Sequence, residues 1–198
     1  MDELDSIIEI FGTNGIDRID YQYFHQLLHN RTIVFNQHIT NEVIENVFLP
    51  LRDFENDDSE KPVTLILNCE GGSVSDSFFL ANYLTHYSKP LTILVTGYAA
   101  SMATVLLAAG GKNNNITRVC YPSTYALIHD GYIAIAPSES KTAGDMLAFN
   151  DQVDQQIRDF ILANTKITPE LYDSQTRHQW FLTADQMLEL GLIDKILE

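Results

Sequence analysis

The sequence predicts an α/β fold, and three observations carry the prediction. The 198 residues, 45% hydrophobic and 20% charged, are enough to bury one core and too few for two domains. The runs VTLILN (63–68) and LTILVTGYAA (91–100) hold no charge and have the composition of strands covered on both faces. Helix-forming stretches follow them, so that strand, helix, strand, helix and strand succeed one another, the order of right-handed β-α-β units.

Along the chain, YQYFHQLLHN predicts a short helix leading into a strand around Thr32–Phe35. ITNEVIENVFLPLRDF reads as a helix capped by Thr40 or Asn41 and bent near Pro50, and DFENDDSEK (53–61) as a loop. After the strand at 63–68, residues 73–87 form a helix with Val74, Phe78 or Phe79, Ala81 and Leu84 inward. The uncharged run Leu91–Gly111 has the length of a membrane span. Thr92, Thr96, Gly97, Ser101, Thr104 and Gly110 dilute it, and its β-rich first half gives way to a helix-prone second half. It is therefore a buried strand followed by a buried helix over Met102–Ala109. NNN (113–115) is a turn and TYALIH (124–129) a third strand.

From Glu139 to about Asn164, Met146, Phe149, Val153, Ile157, Phe160 and Ile161 recur every three or four residues, one apolar stripe on a long helix. Its length exceeds what so small a domain covers, which leaves core burial and a subunit interface both open. TPELYDSQ and TADQMLELG give two short helices, the second ending at Gly191.

Twelve Lys and Arg against 27 Asp and Glu leave a formal charge of −15 and a pI near 4.6. Such a field repels phosphate backbones, which argues against nucleic acid and anionic membrane as partners. Cys69 and Cys120 stand alone with no zinc spacing, so no metal is expected. The acidic start, MDELDSIIEI, lacks the positive region of a secretion signal, and the expected compartment is the cytoplasm.

Three junctions between strand and helix could carry chemistry. NCEGGSV (68–74) sets two glycines after a buried strand, where they permit a tight turn and expose N–H groups. A plain turn explains it equally well, and no G-x-x-x-x-G-K-[ST] phosphate loop exists in the chain. GYAASMA (97–103) puts Ser101 between strand and helix, as a capping serine or as a nucleophile beside backbone oxyanion donors. LIHDG (127–131) sets His129 at the end of an apolar strand, as an ordinary core or loop histidine or as a general base. His25, His29, His38, His86 and His178 have no such lead-in. Together the three junctions fit either serine hydrolysis or acyl-CoA chemistry, in which two backbone N–H groups polarise a thioester carbonyl.

On the GGSV turn, the G-x-A-A-S-M-A block, the strand-end Ile-His and the FLTA near the C-terminus, the chain resembles the Clp protease proteolytic subunits, serine peptidases of the crotonase-like superfamily. The resemblance runs from IIEIFGTNG to GLIDKIL. It implies one domain over 1–198, with a crotonase-like fold of β-β-α and β-α-β units. Residues of about 1–22 would be an axial loop, and about 132–165 a long projecting handle. It implies Ser101 as nucleophile, His129 as base, and the N–H groups of Gly72 and Met102 as oxyanion hole. Gly71, Ser73 and Val74, with Gly131 and Tyr132, would bind extended substrate by strand addition. It further implies a homo-oligomer of stacked heptameric rings and unfolded polypeptide substrates delivered by a AAA+ unfoldase. No cofactor is implied, since only that partner uses ATP.

Three positions depart from the family pattern. Gln179 stands where the triad aspartate is expected, two residues before Phe181, while Asp173 lies six residues too early. A glutamine oxygen can accept a bond from His129 but supplies no charge to an imidazolium. Arg177 and His178 replace an acidic-then-basic pair used between rings, and Cys69-Glu70 replaces Ser-Pro before the glycines, loosening that turn. Position 179 keeps an alternative open, a weakly active or inactive ring subunit that needs a paralogue. The altered ring contact suggests a second, a phage-type relative that trims capsid proteins.

Overall fold

The computed structural model describes residues 27–129 and 140–198. The expected axial loop at 1–22, the start of the handle, Gly131 and Tyr132 lie outside the described residues. The described residues build a seven-stranded sheet in which β1 (Thr32–Phe35), β2 (Val63–Cys69), β3 (Leu91–Ala100), β4 (Ile116–Cys120) and β7 (Lys195–Ile196) run parallel in that order. β5 (Tyr125–Ile128) leaves this path by pairing with β3, and β6 (Trp180–Thr183) lies antiparallel to β5.

A bulge lets β3 serve two partners. Leu67 pairs with Val95, but Cys69 already pairs with Ala99, so β3 holds extra residues opposite Asn68. Asn68 fills the gap: its Oδ1 accepts the Tyr98 N–H at 3.2 Å and its amide donates to Asn36 at 2.6 Å. A side chain at Gly97 would put its Cβ 2.4 Å from Asn68 Oδ1 and push that amide off its bond to Tyr98. The first half of β3, Leu91–Val95, then pairs with β4, and the second half, Tyr98–Ala100, with β5.

The buried core lies between this sheet and its helices. α2 (Val74–Thr85) buries Ser77, Leu80, Ala81 and Leu84, whereas Phe79 faces outward. All eight residues of α3 (Met102–Ala109) are buried, as an uncharged run demands. On α4 (Ser140–Asn164) the apolar stripe divides. Ile161 is buried and Ile157 and Phe160 pack on the core, while Met146, Leu147 and Phe149 are exposed. α5 (Pro169–Gln175) is capped by Thr168, α6 (Ala184–Glu189) by a capping box of Thr183 and Gln186, and Gly191 follows at φ +73°.

Several local expectations change. The helix expected from Thr40 is a π-helical turn, Ile44–Phe48, running into α1 (Leu49–Asn56). Val43 precedes it with no side-chain cap, and Thr40 Oγ1 instead accepts the Glu42 N–H within a turn. Pro50 sits in the first turn of α1, where its missing N–H is tolerated, and the expected interruption is the change from π- to α-helix at Phe48–Leu49 just before it. α1 also takes in residues 53–56, leaving a loop only from Asp57, whose carboxylate pairs with Arg31. Strands β4, β6 and β7 were not expected. No helix among the described residues is long and apolar enough to cross a membrane.

Candidate active site

The three junctions converge. At the end of β2, Gly71 and Gly72 adopt φ +100° and +146°, open to glycine and strained for any other residue. A Cβ on Gly71 would lie 2.7 Å from Ala100 O, 2.8 Å from Ser101 Cβ and 3.0 Å from Met102 N. The glycine turn therefore rests directly on the serine turn. Gly72 is fixed from the other side by Ile39, whose N–H donates to Gly71 O at 2.8 Å and whose carbonyl accepts the Ser73 N–H at 2.9 Å. Ser73 in turn caps α2.

Cys69 braces this turn. Its thiol donates to Gln37 O at 3.1 Å and accepts the Gly71 N–H at 3.3 Å. Burial pushes the thiol pKa up, so it stays protonated in this role.

Ser101 links β3 to α3 with φ +54° and ψ −127°, a sparsely populated conformation for a residue with a Cβ. Its N–H donates to Leu127 O at 2.8 Å, which ties it to β5. Its carbonyl accepts the buried Thr104 hydroxyl at 2.6 Å and the Thr104 N–H at 2.9 Å. Its side chain makes no capping bond, which leaves the hydroxyl out of the helix it precedes. Met102 is the first residue of α3, so its N–H has no acceptor within the helix and stands at the positive end of the macrodipole.

Ser101, Met102, Gly72, Ser73, Val74 and His129 all line one cavity of about 750 Å³, closed on its far side by α4 and α5. Gly71 lies beneath it. His129 follows the last residue of β5, as its strand-end position predicted. Gln179 is not among the lining residues, but the register brings it close. Ile128 pairs with Trp180 at the end of the antiparallel β5–β6 ladder, and His129 and Gln179 are the next residues along the two strands. Asp173 does line the cavity, yet its carboxylate is held by Arg158 Nε and Nη2 at 2.6 and 2.9 Å. That guanidinium keeps Asp173 below the usual carboxylate range.

Sequence reasoning missed Thr104 and His38. Thr104 steadies the serine turn, and its helical spacing of three from Ser101 was the available signal. His38 reaches the rim through the Ile39–Gly72 bridge, which no local pattern announces. Among the described residues no cluster of side chains could hold a metal ion.

The family model for Clp protease matches residues 16–198. The chain is 28% identical to an ATP-dependent Clp protease proteolytic subunit of Cyanophora paradoxa, over 96% of both chains. It is also 28% identical to ATP-dependent Clp protease proteolytic subunit 1 of Shouchella clausii, over 89% of this chain and 90% of that one.

Proposed function

The chain belongs to the Clp protease family, and from that premise we propose that it is a serine endopeptidase subunit with Ser101 as nucleophile and His129 as general base. The observation that carries the proposal is the strained serine turn seated on the glycine turn, with both opening into one cavity beside His129. In the first step Ser101 Oγ bonds to the peptide carbonyl carbon while His129 takes the hydroxyl proton. The carbonyl oxygen becomes an oxyanion between the N–H groups of Gly72 and Met102, donors already fixed before substrate arrives. His129 returns the proton to the departing amine, and water then attacks the acyl-enzyme with His129 again as base. Gln179 is the orienting partner of His129, its amide oxygen accepting the second ring N–H.

Gly71, Ser73 and Val74, together with Gly131 and Tyr132, would hold an extended chain by main-chain pairing. The subunit works in stacked heptameric rings in the cytoplasm, on unfolded polypeptides fed by a AAA+ unfoldase. It needs no cofactor of its own, because ATP is spent by that partner.

The test is hydrolysis of short unstructured peptides by the assembled protein. Activity that is lost in Ser101→Ala and His129→Ala, with assembly retained, is the expected outcome. Equal activity in either variant overturns the assignment of that residue.

A further inference from the structure

Resting on the peptidase reading, we infer that Glu70 makes this cavity select peptides with a Lys or Arg side chain beside the cleaved bond. The cavity is identified independently by Ser101, His129 and the two N–H donors, so Glu70 adds a preference to a site already there.

Glu70 opens the glycine turn and lines the cavity with its side chain 62% exposed. Its neighbour is an imidazole and not a permanent cation: His38 Nδ1 lies 3.2 Å from Glu70 Oε1. Gly72, two positions on, is where a substrate carbonyl would be held. An extended chain advances about 3.3 Å per residue, so side chains next to that carbonyl fall within reach of the Glu70 carboxylate. Across the cavity α4 adds the carboxylates of Asp151 and Asp154; Arg158 is occupied by Asp173 and Arg177 also lines the wall, so the described lining holds four carboxylates against two guanidinium groups. A cationic side chain entering here meets an attractive field, and an acidic one is repelled. Such charge complementarity acts chiefly on selection and on the rate of capture.

The experiment uses the assembled full-length protein and paired peptides that differ only in Lys, norleucine or Glu at the residues flanking the cleaved bond. The expected kcat/KM ratio of Lys over norleucine is roughly three- to fivefold, the scale of a solvent-exposed charge pair. Glu peptides should be slower than norleucine ones. The preference should shrink in 1 M salt, where the screening length falls to about 3 Å. Glu70→Gln should bring the ratio close to one, and Glu70→Lys should reverse it in favour of Glu peptides. A native ratio near one, or a ratio that neither variant changes, overturns the inference while leaving the peptidase reading standing. Cleavage of no peptide, together with no labelling of Ser101 by a serine-directed probe, overturns both.

Discussion

Ser101 carries the strain of the site and, in the proposed mechanism, its chemistry. A residue with a Cβ at φ +54° and ψ −127° costs on the order of 1–3 kcal/mol, and glycine relieves it. Ser101→Gly should therefore melt at higher temperature than Ser101→Ala in calorimetry, with both inactive, which separates strain from chemistry. At Gly71 the opposite holds. Gly71→Ala must push a Cβ to 2.7 Å from Ala100 O, so roughly 1–3 kcal/mol of stability and most of the peptidase rate should be lost. Gln179→Asp should raise kcat roughly tenfold or more, by giving the imidazolium a charged partner; an unchanged rate would mean that another group orients His129. Ser101 and His129 were legible because each ends an apolar strand, where a polar side chain has no core to enter. The neighbourhood of Gln179 was legible only through the resemblance. Its spatial argument needs β6, a four-residue strand too short to show its alternation.

Elements decide where those residues meet. The bulge at Asn68 hands β3 from β4 to β5, and without it Ser101 and His129 would not open into the same cavity. β4 escaped the sequence reading because Arg118 interrupts it. That arginine is buried because Asp194, 76 residues away, takes its Nε and Nη2 at 3.1 and 2.7 Å and the Gly191 carbonyl takes its Nη1 at 2.8 Å. The parallel strands β2 and β3 were plain, since strands covered on both faces are apolar throughout. A second polar knot joins α1 to the end of α2. Burial acts to raise the Glu55 pKa, but hydrogen bonds from Tyr83, at 2.7 Å, and Ser88, at 2.8 and 3.0 Å, outweigh it and hold the carboxylate low. Because the folded pKa is depressed, this contribution is present above the unfolded value near 4.5 and is lost as pH falls through the folded one. Glu55→Gln should cost about 1–2 kcal/mol at pH 7 by chemical denaturation. The gap from the native protein should narrow below pH 4. A gap independent of pH would contradict the account.

At the scale of the whole molecule, two features point beyond the monomer. The exposed end of α4 presents Met146, Leu147 and Phe149, the last 67% exposed, on a helix whose other end is anchored by Ile161. This splits the two explanations that the stripe left open: its C-terminal half belongs to the core, and its N-terminal half is available to a second subunit. Phe149→Asp should then shift the protein to smaller species in sedimentation. The charge of −15 would be multiplied in the proposed ring, and such a field repels nucleic acid. Beneath assembly stands the proposed nucleophile, the Ser101 hydroxyl on its strained turn. It is tested most directly by intact mass and peptide mapping of the assembled protein after a fluorophosphonate probe. A single adduct on Ser101, absent from Ser101→Ala and slowed in His129→Ala, is the predicted result. A protein that assembles and takes no adduct at Ser101 would contradict it.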